Sequence, residues 1–199
     1  MLRLNRSFGF TLIELLIAVT ISGVLITLGA PALSTYLQNS RVGSTAAGYS
    51  DGIRAARTAA IQRNSPVSFV LTNATGTADA LANGAAPSLA GLNWVVRAAS
   101  GAGFEAIEAK AGAEGAGAGG VGSVQVAAAG PAGFAGVITF NGFGATSDNQ
   151  PYSIAITNPA AGLCAVAGGP VRCRLITIAP AGKINACDPA AVPGDSRAC

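Results

Sequence analysis

The sequence has no histidine, one methionine and one tryptophan among its 199 residues, and only 11% of its residues are charged. Without histidine there is no imidazole base for a serine or cysteine nucleophile, and none to complete a zinc site of the common kinds. Cysteine is missing before Cys164, so thiol chemistry is confined to the last 36 residues. A strong charge of one sign is missing too, with twelve Lys and Arg against nine Asp and Glu. Binding of nucleic acid by bulk electrostatics wants a clear basic excess, so only a concentrated basic patch is left as a route to it. Long apolar runs are also scarce, and downstream of residue 33 nothing approaches the roughly 20 apolar residues that a membrane span requires.

What is present begins at the N-terminus. Phe10 to Leu33 supplies 24 residues that are apolar or small and uncharged, apart from Glu14. A carboxylate in such a run costs about 2.5 to 3.5 kcal/mol on insertion scales, so its presence implies a task. Arg3 and Arg6 are the only charges ahead of the run, which places the N-terminus in the cytoplasm and the rest of the chain outside it. An ordinary secretory signal, cut near Ala30-Pro31-Ala32, is a poor rival, because its apolar region runs 7 to 15 residues and carries no charge.

The extracytoplasmic placement suits Cys164, Cys173, Cys187 and Cys199, since disulfides persist there. Four cysteines allow three pairings, and the sequence does not choose among them. Cys164 with Cys173, across Gly168-Gly169-Pro170, and Cys187 with Cys199 is the combination we expect, the first closing a short loop and the second tying down the tail. No C-x-x-C knuckle occurs, so no metal is expected.

Beyond Pro31, which should kink the helix, Leu33, Leu37, Ala47, Ile53, Ala56, Ala60 and Ile61 recur at near-helical spacing. Residues 34–64 therefore read as an amphipathic continuation of the 10–33 span, which Gly43, Gly48 and Gly52 would loosen. Asn64, Ser65 and Pro66 end it. Strand patterns follow at 67–71, 94–97, 121–126, 137–140, 152–157 and 174–178, separated by Gly, Pro, Asn and Ser. The fold class is α+β: a long N-terminal helix followed by an antiparallel β-sheet or sandwich over 65–199. The Gly and Ala tract at about 111–122 lacks apolar anchors and reads as a flexible loop.

Two enzyme-like patterns are coincidental. Gly48-Tyr49-Ser50-Asp51-Gly52 fits a nucleophile elbow but lies in a helical stretch and has no histidine partner. Gly117 to Gly122 fits a dinucleotide fingerprint but lies in a low-complexity tract without flanking strand and helix. No enzyme activity and no cofactor are expected.

The short basic leader ending in Gly9, followed by Phe10-Thr11-Leu12-Ile13-Glu14, resembles the class III signal of type IV pilins and type II secretion pseudopilins. That resemblance implies a leader over 1–9, cleavage after Gly9 by a prepilin peptidase and methylation of the Phe10 amine. It also implies that Glu14 pairs with the N-terminal amine of a neighbouring subunit during assembly. Removing Arg3 and Arg6 with the leader leaves ten basic residues against nine acidic ones.

Two further stretches, "IRAARTAAIQRNSPVSFVL" from Ile53 and "RCRLITIAPAGKINAC" from Arg172, resemble the GspH/FimT group of minor pilins and pseudopilins. So does "VITFNGFGATSDNQPYSIAITN" from Val137, with its Phe-x-x-x-Gly turn at Phe140 to Gly144. The partners implied are other pilin or pseudopilin subunits, the prepilin peptidase and the inner-membrane assembly platform. The implied location is the inner membrane, single-pass with a periplasmic C-terminal domain, and afterwards the filament. Some FimT-like members bind DNA in natural transformation through a C-terminal Gly-Arg-x-Arg. Here Gly182-Lys183-Ile184-Asn185 keeps one cation of the two, so DNA binding is an alternative that would draw on Lys183 with Arg172, Arg174 and Arg197.

Overall fold

The computed structural model describes residues 11–110 and 124–199, and the expected flexible loop at 111–122 lies outside them. The chain divides into two units, Met1–Leu37 and Gln38–Cys199. In chain order the elements are α1 (Leu12–Arg63), β1 (Val67–Thr72), α2 (Ala78–Gly84), β2 (Asn93–Ser100), β3 (Gly103–Lys110), β4 (Gln125–Ala129), β5 (Val137–Phe140), β6 (Tyr152–Thr157), β7 (Arg174–Ile178) and β8 (Ile184–Cys187). Two short 3-10 turns, Pro159–Ala161 and Ala165–Ala167, lie between β6 and β7.

Among the described residues every strand pairing is antiparallel, in two four-stranded sheets ordered β3-β2-β1-β5 and β4-β6-β7-β8. In the Gln38–Cys199 unit, α1 turns Val42, Ala46, Tyr49, Ile53, Ala56 and Ala60 inward at alternating spacings of four and three, the signature of one helix face. These residues share a core with Phe69, Leu71, Trp94 and Val96 of the first sheet and with Ile154, Ile156, Ile176 and Ile178 of the second. The expected face is corrected in detail: Leu33, Leu37, Ala47 and Ile61 are exposed. The seam that wins is the one carrying Tyr49 and the small residues, because it can come close to the sheets.

α1 stops where the sequence says it should. Asn64 adopts the left-handed conformation with φ 46°, and the Ser65 N–H donates to the Ala60 carbonyl at 3.2 Å. A left-handed residue followed closely by proline is a standard helix stop. β1 then runs buried on both faces, with Val67, Phe69 and Leu71 in the main core and Val70 in a second cluster with Leu81, Ala82, Ala85 and Val95. α2 covers that second face, capped by Thr77, whose hydroxyl accepts the Ala80 N–H at 3.4 Å.

Three elements gave no legible signal in the sequence. β3 contains Glu105, Glu108, Lys110 and two alanines, residue types depleted from strands, and it forms because β2 offers it a pairing edge. β8 is only four residues long, and α2 only seven. The strand expected over 121–126 is instead β4 at Gln125–Ala129, where Val126 and Ala128 face inward and alternate with exposed neighbours. In that Ala-rich stretch the alternation is nearly invisible by composition.

The glycines of α1 do not loosen it; residues 38–63 are helical throughout. Gly52 has a positive reason: a Cβ there would lie 2.7–2.8 Å from three carbons of the Trp94 ring. Tyr49, one turn earlier, donates its phenolic hydrogen to the Gly91 carbonyl at 2.6 Å, and burial pushes its phenol pKa up. A Cβ at Gly43 would meet nothing within 4 Å. Gly43→Ala should therefore stabilise the fold by up to about 1 kcal/mol through helix propensity. Gly52→Ala should destabilise it, because overpacking costs about 1–3 kcal/mol and outweighs that gain. Denaturant midpoints of the two variants check the opposite signs.

Candidate functional site

Two groups of residues carry the chemistry singled out in the sequence, one in each unit. The first is the apolar stretch of α1. Gly9 and Phe10 lie outside the described residues; Glu14 stands in the first turn. Its backbone N–H donates to the Thr11 hydroxyl at 3.3 Å, and the Leu15 N–H donates to the Thr11 carbonyl at 3.1 Å. Thr11 thus caps the helix, and Thr11-Leu12-Ile13-Glu14 has the T-x-x-E pattern of a capping box. The T-x-x-E spacing makes that cap legible in the sequence itself. A carboxylate at this position also faces the positive end of the helix dipole.

Downstream, Leu12, Ile13, Leu15, Leu16, Ile17, Val19, Ile21, Val24, Leu25 and Ile26 are all more than half exposed. They occupy every side of the helix, whereas a water-facing helix confines such residues to one stripe. The hydroxyls in the stretch turn inward along the helix: Thr20 donates to the Ile17 carbonyl at 2.8 Å, Ser22 to Ala18 at 2.7 Å and Thr27 to Val24 at 2.8 Å. Polar groups satisfied within the helix are what a lipid surrounding demands. At about 1.5–3 kcal/mol for each large side chain removed from water, the stretch gains on the order of 20 kcal/mol, far more than the Glu14 carboxylate costs. Among the described residues no single helix is long and apolar enough to cross a membrane. By length and composition a bent pair, Leu12–Thr27 with Ala32–Arg63, qualifies. Pro31, which has no N–H to donate, lies in the break between them.

The second group is the C-terminal basic cluster. The structure joins Cys164 to Cys173 and Cys187 to Cys199. In the chain-entropy picture each bond contributes about 3 kcal/mol for loops of this length. The second disulfide closes a loop that folds around Asp188. The Asp188 carboxylate is buried, accepts the Ala190 N–H at 3.0 Å and meets Arg174 at 2.8 Å and Arg172 at 3.8 Å. The Asp188 N–H donates to the Arg197 carbonyl at 2.6 Å. Arg197 is itself engaged, bonding Asp195 through Nη2 at 2.7 Å and Nε at 3.1 Å. Those bonds hold the Asp195 carboxyl down at about 2.

The fold therefore gathers three of the four candidate cations, but around carboxylates of the same chain. Lys183 is exposed and stands apart. β7 and β8 pair Leu175 with Cys187 and Ile178 with Ile184, so Arg174 and Lys183 flank opposite ends of the hairpin. At about 3.4 Å per residue they are separated by more than 10 Å. Gly182 has a structural duty: its φ is +79°, and a Cβ there would collide with the Gly144 carbonyl, to which Arg57 Nε also donates at 2.9 Å. Asp188 was missed in the sequence because its two arginines lie 14 and 16 positions away, with no spacing rule to link them. The Gly48–Gly52 pattern lies inside α1 with Ser50 buried. Among the described residues no group of three or more His, Cys, Asp or Glu is placed to hold a metal ion.

Comparison with known proteins agrees with this geometry. The model of the prokaryotic N-terminal methylation motif matches residues 4–30. The fold is similar to that of the type IV minor pilin FimU of Pseudomonas aeruginosa in its P21 crystal form. The TM-score is 0.51 at 13% identity, covering 77% of this chain and 92% of that one. The P65 form of the same protein gives 0.48 at 14% identity, with 76% and 97% covered. No curated protein matches the chain in sequence. The chain thus carries the N-terminal methylation motif together with a long helix and antiparallel sheets arranged in a type IV pilin-like fold.

Asp188→Asn removes the charge on which Arg172 and Arg174 converge. Breaking a buried pair of this kind costs about 3 kcal/mol, toward the low end of the range because Arg174 keeps some solvent. The variant should unfold at a correspondingly lower urea concentration with its disulfides intact.

Proposed function

We propose that this type IV pilin-like chain is a minor subunit of a type IV pilus or a type II secretion pseudopilus, one that initiates or caps the filament. The observation that carries the reading is the helix that is apolar and exposed on every side from Leu12 to Ile26, with the lone carboxylate of Glu14 in its first turn. A surface of that kind has two stable surroundings, lipid before assembly and the helices of other subunits afterwards. The mechanism is assembly rather than catalysis.

In this reading the prepilin peptidase cuts after Gly9 on the cytoplasmic side, and the freed Phe10 amine is methylated. The inner-membrane platform then extracts the subunit from the bilayer. Glu14 contributes a step that apolar packing cannot. Helix-on-helix contacts are nearly indifferent to small axial slips, whereas a carboxylate in a low-dielectric surrounding is strongly drawn to a single cationic amine. Pairing with the N-terminal amine of the next subunit would set the axial register, much as a single polar residue fixes the register of a coiled coil.

Glu14→Ala should insert in the membrane as well as the parent and lose incorporation into filaments, read by shearing and immunoblot of the filament fraction. Glu14→Gln should fail in the same way, which separates a need for charge from a need for a cap. Incorporation of Glu14→Ala at the parental level would refute the registry role. Mass spectrometry of the mature chain should show a start at Phe10 carrying one added methyl group.

A further inference from the structure

Between Asp148 and Arg172 the sequence carries no charge, and the segment that follows β6, Pro159 to Val171, is built almost wholly of Ala, Gly, Pro, Val and Leu. Exposed loops of folded proteins are ordinarily polar, yet here Leu163 is 68% exposed and Val166 63%. The exposure does not come from a slack segment. The Cys164–Cys173 bond closes the loop, Val171 donates to the Leu163 carbonyl at 3.2 Å, and Ala165 donates to the Val171 carbonyl at 2.7 Å. Gly169 packs so tightly under Leu163 that a Cβ there would collide with the Leu163 carbonyl.

The place where this loop is fastened supplies the second observation. Arg172 N–H donates to the Asn39 side-chain oxygen at 2.7 Å, Asn39 Nδ2 donates to the Pro170 carbonyl at 3.4 Å, and Asn158 Nδ2 donates to Gln38 Oε1 at 2.6 Å. Gln38 and Asn39 are the first residues after Leu37, where the exposed apolar part of α1 ends. Leu163 is one backbone hydrogen bond from Val171, and Arg172 is bonded to Asn39. At about 3.8 Å per residue step, Leu163 lies within roughly 15 Å of Asn39, the second residue of the Gln38–Cys199 unit.

We propose that the disulfide-closed loop from Pro159 to Arg172 is an interfacial lipid anchor, seating Leu163 and Val166 in the headgroup and acyl boundary of the bilayer that holds α1. The Arg172 guanidinium at its rim, loosely paired with Asp188 at 3.8 Å and still 57% exposed, keeps N–H groups that can turn toward lipid phosphate. The proposal rests on the membrane-inserted state of the reading above. It adds a contact that must be surrendered when the subunit leaves the bilayer.

The experiment places the full-length protein in nanodiscs of phosphatidylethanolamine and phosphatidylglycerol, with and without acyl-chain-brominated phosphatidylcholine, which quenches tryptophan on contact. The parent has one tryptophan, Trp94, buried in the core, so its emission should be unaffected. Leu163→Trp and, as the control for α1, Leu25→Trp should each lose emission in the brominated discs. Adding Val166→Asp to Leu163→Trp should restore emission. Quenching of Leu25→Trp without quenching of Leu163→Trp overturns the anchor and leaves membrane insertion standing. Quenching of neither overturns insertion, and the anchor with it.

Discussion

How closely α1 approaches the first sheet is decided at one contact, the indole of Trp94 against the bare backbone of Gly52. Because that position has no side chain, the ring slides between helix and strand and lies 5.5 Å from Phe69, which in turn meets the edge of Tyr49 at 6.3 Å. The three aromatics fill the space that Ala46, Ala56 and Ala60 leave along the same seam. Once the helix sits that deep, Ile154, Ile156, Ile176 and Ile178 of the second sheet reach the same core, and both sheets are organised around one helical stem. The Tyr49 hydroxyl on the Gly91 carbonyl gives the arrangement a direction, since a buried phenol must end on an acceptor.

A single helix thus serves two solvents. From Gln38 onward it obeys the rules of a water-soluble protein, with one apolar stripe and arginines on the remaining surface. Over Leu12 to Thr27 it follows the rules of lipid, apolar all round and with the Thr20, Ser22 and Thr27 hydroxyls bonded back to their own backbone. Gln38 and Asn39 open the second part, and both are bonded to the segment between β6 and β7.

The parts of this architecture that the sequence disclosed are those in which local pattern and tertiary outcome agree. β1, β5, β6 and β7 are β-branched and apolar between turn formers, and the stop of α1 at Asn64 and Pro66 is written in residue types with one easy backbone solution. β3 and β8 are strands because a neighbour offers an edge, and in Gly103–Lys110 only Phe104 and Ile107 favour that state by themselves. The inward face of α1 is legible only in part: Ile53, Ala56 and Ala60 turn inward as expected, whereas Leu37 and Ile61, more hydrophobic than Ala46, stay exposed because the contact selects for small size. At the functional residues the split is similar. Glu14 announces itself because a charge in an apolar run is anomalous on any scale. The entanglement of Arg172, Arg174 and Arg197 with Asp188 and Asp195 depends on a loop closure that no spacing foretells.

The Thr11 cap bears on how such a chain would be handled. Donor and acceptor of that first bond, the Glu14 amide and the Thr11 hydroxyl, both lie downstream of the Gly9–Phe10 bond. Cutting there would take away two arginines and create one ammonium while leaving the opening turn of the helix bonded as before. A precursor and its product would then share the same opening turn and differ in their electrical tip. Any machinery that tells a finished subunit from an unfinished one would have to do so by charge and reach at that tip, because the hydrogen bonds of the turn behind it carry no record of the cut.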